Sequence, residues 1–230
     1  MTDPGVRPDA LGLPRPSGVV FDCDGLLLDT EPCWTVAETA VFATRGLPYG
    51  PEQKALFIGR SVPGSVELMA SIFGEEGNEE AILAQLLDAI GDVIATSAEP
   101  MPGALELVEL LSGRLPIGVA SNSPRFVLDA ALGRAGLRDA FGAVVAADEV
   151  PVPKPAPDLY LSACRLLGVP AVGAVALEDT ATGTAAAHAA GLRVIGVPSP
   201  EARELGADWL RPALDHPRLR QVALDRVFLD

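Results

Sequence analysis

The sequence predicts an α/β fold: a parallel sheet with helices on both faces, interrupted early by a helical stretch. Three observations carry this. Short apolar runs alternate with helical patterns from about residue 100 onward, the mark of a covered parallel sheet. The stretch Glu31 to Glu99 repeats apolar residues at helical spacing and holds little that resembles a strand. Nearly half of the 230 residues are apolar, 49%, enough to bury a sizeable core in one domain or one domain with a smaller insert.

The elements follow in order. Gly18-Val19-Val20-Phe21-Asp22 is an apolar run ending in acidic residues and Gly25, which suits a fully buried strand that opens into a loop. Trp34, Ala37, Val41 and Phe42 then fall on one helical face. Glu79-Glu80 opens another helix through Ile82, Leu83, Leu86, Leu87 and Ile90. Ala104 to Leu111 is helical, and Ile117 to Ser121 is a strand. Pro124 suits the first turn of the next helix, which Gly136 ends. Ala143 to Ala147 is a strand. Asp158 to Leu167 is a helix closed by Gly168. Ala174 to Leu177 is a strand running into Glu178-Asp179. Thr184 to Ala190 is a helix closed by Gly191, and Val194 to Val197 is the last clear strand. Residues 212–230 suit a helix packing Leu219, Val222, Leu224 and Val227 on the core.

Charge and cysteine content narrow the function. Seventeen basic against 31 acidic residues give a net charge of −14. That argues against nucleic acid as a partner, because such affinity comes largely from Lys and Arg on phosphates. An anionic substrate would be repelled at long range and would need a local cation, a metal ion or a placed lysine. Cys23, Cys33 and Cys164 show no paired spacing and read as reduced cytoplasmic thiols. No window is apolar enough for a membrane span. Residues 1–16, rich in Pro, Gly and Asp, read as a loose arm rather than a targeting peptide. A monomer is the default.

In an open parallel sheet the ligand site lies beyond the carboxyl ends of the strands, so reactive residues should sit there. They do. The first strand ends in Asp22-Cys23-Asp24-Gly25, and strand alternation lets Asp22 and Asp24 face one way and Cys23 the other. Two carboxylates in one crevice repel unless a cation or proton lies between them, and Mg2+ favours such hard oxygen ligands. The second strand ends in Ser121-Asn122-Ser123-Pro124, where a hydroxyl and helix N-terminal N–H groups form a phosphate cradle. Lys154 lies in Pro151-Val152-Pro153-Lys154-Pro155, whose prolines fix where an ordered point charge would stand. The fourth strand ends in Glu178-Asp179-Thr180, carboxylates that could complete a metal site with Asp22. Each signal alone reads equally as a helix cap, an acidic turn or a solvated loop. Four such coincidences on one sheet edge do not.

The strings DCDGLLLDTE, SN at 121–122, KPAPDLY from 154 and EDTATG from 178 closely resemble the four motifs of the haloacid dehalogenase superfamily, in order and spacing, over about Gly18 to Val197. The match is similar to the branch of β-phosphoglucomutase and small sugar-phosphate phosphatases. The resemblance implies a Rossmann-like core at 17–30 and 100–230 with an inserted helical cap at 31–99. It implies Asp22 as the nucleophile that forms an aspartyl-phosphate, and Asp24 as the acid that protonates the leaving oxygen and then activates water. Ser121 and Lys154 would hold the phosphoryl group, with Asn122 and, in the cap, Arg60 on the substrate. Mg2+ would lie on Asp22, Asp179, the main chain of Asp24 and Glu178, the last directly or through water. The ligand would be a small phosphorylated metabolite. Pro153 stands where relatives often have Gly, and Thr180 where they often have Ser. Trp34 stands where mutase-like relatives place a His, and the stretch 31–99 holds few cations: Arg45, Lys54 and Arg60. The reading is therefore a phosphatase. A phosphosugar mutase is the alternative, and a catalytically silent binding module the further one.

Overall fold

The computed structural model describes residues 16–57, 60–198, 204–217 and 219. Six parallel strands form the main sheet: β1 (Val19–Phe21), β4 (Ile117–Ala120), β5 (Ala143–Val145), β6 (Val175–Glu178), β7 (Arg193–Gly196) and β8 (Trp209–Leu210). Their order is β5-β4-β1-β6-β7-β8, so the first strand lies in the middle. Phe21 is in register with Val119 on one side and Leu177 on the other. The residues that follow, Asp22, Ala120-Ser121 and Glu178-Asp179, therefore leave the sheet side by side.

The alternation that defines a strand sorts its residues onto two faces. Val19, Phe21, Ile117, Val119, Val175 and Leu177 join one core cluster, while Val20, Ala120, Val145, Ala176 and Val194 join the other. Both faces are covered. Helices α5 (Ala104–Ser112), α6 (Arg125–Arg134), α7 (Asp158–Leu167) and α8 (Ala181–Ala189) link the strands. Strands β1, β4 and β5 are short, fully buried apolar runs without alternation in polarity, as double burial requires.

After β1 the chain turns through Gly25 into β2 (Leu28–Asp29), makes four helices, and returns as β3 (Glu99–Pro100), which pairs antiparallel with β2. The helices are α1 (Glu31–Ala43), α2 (Pro51–Phe57), α3 (Val62–Phe73) and α4 (Glu79–Ser97). Their core is aromatic: the Phe42 ring meets Tyr49, Phe57 and Phe73 edge-on, at 4.9, 6.0 and 4.9 Å between centroids. Arg45 lies 4.3 Å over Phe73 and forks onto Glu75 with two bonds of 2.9 Å.

Local chemistry moves several predicted boundaries. Helix α8 begins at Ala181 rather than Thr184, because the Thr180 hydroxyl caps it, accepting from Gly183 N at 3.0 Å. Strand β5 stops at Val145, because Ala147–Glu149 tighten into a 3-10 turn. Pro124 is the residue before the helix rather than in its first turn. The two-residue strand β8 has no apolar run to announce it. It is fixed by Asp208, whose carboxylate accepts from Val194 N at 2.7 Å. Residues 1–15 of the arm expected at 1–16, and most of the C-terminal helix expected at 212–230, lie outside the described residues, while Leu214 and Leu219 are buried. Among the described residues no helix is long and apolar enough to cross a membrane.

Candidate active site

Four chain segments meet beyond the carboxyl ends of β1, β4 and β6. Lys154 Nζ, 5% exposed, lies 2.5 Å from Asp22 Oδ1 and 2.6 Å from Glu178 Oε1. Asp22, Glu178 and Asp179 offer oxygens that all fall within 4.8 Å of one another, and all three residues are buried. Asp24 points its carboxylate at three hydroxyls: Thr30 Oγ1 donates to Oδ1 at 2.7 Å, and Ser121 and Ser123 donate to Oδ2 at 2.9 Å each. The intervening Cys23 is buried and joins the same core cluster as Phe21.

The surrounding residues hold these groups in place. Asn122 spends both ends of its amide on the Lys154 main chain, accepting from Lys154 N at 2.9 Å and donating to its carbonyl at 3.2 Å. It ties down the lysine loop. Gly25 has φ +82°, and a Cβ there would lie 2.4 Å from Asp179 Oδ2, so only glycine fits under that carboxylate. Arg60 stands apart. It is exposed and its Nε donates to the Leu56 carbonyl at 2.6 Å.

The donor set fits Mg2+. Asp179 Oδ1 is buried without a hydrogen-bond partner, and a buried polar atom of this kind calls for one. Hard carboxylate oxygens are what Mg2+ prefers. One cation, Lys154, faces four carboxylates, so a second positive charge is needed to balance the cluster.

Comparison with known proteins agrees with the geometry. The family model of haloacid dehalogenase-like hydrolases matches residues 16–191. The chain belongs to the haloacid dehalogenase-like hydrolases. It is 33% identical to fructose-1-phosphate phosphatase YqaB of Escherichia coli, over 80% of this chain and 97% of that one. Hexitol phosphatase B of Escherichia coli is 34% identical, over 80% and 84%. Among solved structures, CbbY from Rhodobacter sphaeroides in complex with phosphate superposes with a TM-score of 0.76 at 26% identity, covering 87% of this chain and 96% of that one. The α/β sheet of this hydrolase is the Rossmann-like one of its family.

Electrostatics follow from burial. Burial pushes the Asp22 carboxyl up to about 7; Lys154 pulls it down, while Glu178 and Asp24 push it further up. Asp179 is pushed up to about 9 by burial and by the charges of Asp22 and Glu178. Burial disfavours the Lys154 ammonium, but Asp22 and Glu178 outweigh that and hold it well above its usual range. Burial, together with Asp24 and Asp22, pushes the Cys23 thiol far up, so it is not a thiolate nucleophile.

These shifts fix a sign. Both carboxyls titrate at 3.8 when exposed and much higher when folded, so the metal-free fold binds more protons than the unfolded chain. Their protonated forms favour folding below pH 3.8, and that contribution is lost as pH rises through 7 and 9. A Mg2+ ion held by Asp22 and Asp179 would need both groups ionised, so it would displace protons and bind more tightly as pH rises. The expected result is that the gap in Tm between Mg2+ and EDTA widens steadily from pH 6 to pH 9. Melting curves at each pH measure it, and a gap independent of pH would contradict the shifts.

Sequence reasoning missed Thr30, Ser123 and Tyr160. Thr30 and Tyr160 lie inside the quoted motif strings, and Ser123 follows directly after one. Thr30 carried one available signal, its position just ahead of α1. There its hydroxyl makes no cap bond and goes to Asp24 instead. Ser123 and Tyr160 gave no periodic or charge signal of their own.

Proposed function

We propose that this chain hydrolyses small sugar or polyol phosphates, with Mg2+, through an aspartyl-phosphate on Asp22. The chain is a phosphoric monoester hydrolase. The finer reading rests on one observation above all: Asp22 at the end of the central strand, 2.5 Å from a buried lysine and beside the unpartnered oxygen of Asp179. The names of the two similar phosphatases support a hexose or hexitol phosphate.

In this reading Asp22 attacks phosphorus while Lys154 and Ser121 neutralise and orient the phosphoryl oxygens. Asp22, Asp179 and the Asp24 carbonyl would hold Mg2+, which would supply charge neutralisation for two anions that must meet. Asp24 gives its proton to the departing sugar oxygen, then takes one from the water that opens the aspartyl-phosphate. Such acid–base help is worth about 100- to 10,000-fold. Thr30, Ser121 and Ser123, whose hydroxyls can donate or accept, keep the Asp24 carboxyl in place between turnovers. Ser121 has a single proton, so it releases Asp24 when it turns to the phosphoryl group. Residues 31–99 act as the cap that closes over the substrate and excludes water.

The cap argues for water as the acceptor. A mutase must hold a second phosphate there. Arg45 is committed to Glu75, and Lys54 is paired with Glu31 and, at 3.1 Å, with the buried Glu38. That leaves Arg60 as the cap cation, among the described residues, without an ion pair. Trp34, half-buried in α1, takes the place of the histidine expected of a mutase. The three buried free thiols suit a reducing compartment such as the cytoplasm.

Release of inorganic phosphate from a panel of hexose and hexitol monophosphates is the test. Turnover is expected with Mg2+ and none after EDTA. Conversion of β-glucose 1-phosphate to glucose 6-phosphate with a bisphosphate primer, and without free phosphate, would overturn the choice of water.

A further inference from the structure

Glu178 is the most heavily hydrogen-bonded group in the site. Its Oε2 accepts from Asp179 N at 3.2 Å, Thr180 N at 3.3 Å and Thr180 Oγ1 at 3.1 Å. Its Oε1 accepts from Lys154 Nζ and from the Tyr160 hydroxyl, both at 2.6 Å. Protein donors thus fill the lone pairs of a carboxylate that is 0% exposed. A group so occupied is suited to anchoring the lysine rather than to taking a metal as a direct ligand.

Tyr160 makes two contacts there. It comes from the first turn of α7, six residues after Lys154, and is itself 0% exposed. Its hydroxyl competes with Lys154 for Glu178 Oε1, and its ring face lies 4.9 Å from Lys154 Nζ. Burial and the Glu178 charge push the phenol far up, so it stays a donor. The ammonium is therefore bounded by Asp22, by Glu178 and by an aromatic face. Two of its N–H groups are committed and one remains. If the phenol left Glu178 Oε1, that oxygen would draw the lysine toward itself and away from Asp22.

We propose that Tyr160 is a positioning residue, whose hydroxyl on Glu178 and ring beside Lys154 hold the lysine between Asp22 and the phosphoryl group. This rests on the phosphatase reading above. It identifies the tyrosine of KPAPDLY as part of the machinery, where its size and burial alone would make it core.

Tyr160→Phe removes the hydroxyl and keeps the ring. Loss of such a supporting contact typically lowers activity about 10- to 100-fold, so kcat is expected to fall about 10-fold while KM stays within twofold. In a Glu178→Ala background the same change should move kcat less than twofold, because the phenol has lost the group it acts through. The chain has only two lysines, Lys54 and Lys154, so 15Nζ-labelled lysine gives a spectrum with two ammonium signals. Tyr160→Phe should shift the Lys154 signal and leave Lys54 in place. The proposal is overturned if Tyr160→Phe lowers only Tm and keeps kcat within twofold. An equal kcat loss with and without Glu178, or an unmoved Lys154 signal, overturns it as well. If the wild type releases no phosphate from any ester, the phosphatase reading fails instead, and the Lys154 signal still decides the contact.

Discussion

Asp22→Asn is expected to lower kcat by at least about 10,000-fold if Asp22 forms the proposed aspartyl-phosphate, because losing the nucleophile of a covalent mechanism removes the step on which the other groups act. The change is isosteric and keeps a hydrogen-bond acceptor for Lys154, so position is preserved while nucleophilic charge is lost. The metal-free variant should also melt higher than wild type. Asp22 is a buried carboxylate pushed up to about 7 by burial and by Glu178 and Asp24, and a neutral amide relieves that repulsion. Lys154 keeps Glu178, so no charge is left unpaired. Turnover by stopped phosphate assay and Tm in EDTA measure the two effects. A variant retaining activity within 100-fold of wild type would remove Asp22 from the nucleophile's role.

Gly183→Ala has the second large effect, and it acts on folding. Gly183 is in the first turn of α8, and a Cβ there would stand 1.7 Å from Glu178 Oε1 and 2.0 Å from its Cδ. A side chain usually yields to such a clash by rotating. Glu178 cannot, because Lys154, Tyr160, Thr180 and the Asp179 N–H hold both its oxygens. Either the helix start shifts or the carboxylate loses its partners. Overpacking alone costs about 1–3 kcal/mol, and breaking a buried ion pair about 3–5. A loss of at least about 3 kcal/mol in urea unfolding, together with loss of phosphate release, is expected. Ala at Gly133, whose Cβ would meet nothing within 4 Å, is the control and should change little.

Much of this was legible in the sequence because the chemistry and the fold use the same residues. A strand buried on both faces must be apolar, so its polar end stands out. Asp22, Ser121 and Glu178-Asp179 were visible for that reason. Lys154 was visible because lysine is rare here and prolines surround it. The strand Trp209–Leu210 was not legible, being two residues long and fixed by a carboxylate from a loop. Ser123, Thr30 and Tyr160 escaped for a related reason. A hydroxyl looks the same in sequence whether it caps a helix, faces water or holds a catalytic carboxylate. Only the partner distinguishes these, and the partner of Ser123 is 99 residues away along the chain. Asn122 was recognised by position, but its bond to the Lys154 main chain was not legible, because that partner lies 32 residues away.

The separation in chain of the groups that meet around Asp22 has a kinetic consequence. Lys154 reaches Asp22 across 132 residues, and Ser121 reaches Asp24 across 97. Contacts between such distant segments require long loops to close, and topologies rich in them fold slowly. The carboxylates therefore remain apart and hydrated until the sheet has ordered its middle strands, and their mutual repulsion is incurred only at that last closure. Catalytic competence is then a readout of complete folding: a refolding chain should regain helical signal first and phosphate release last.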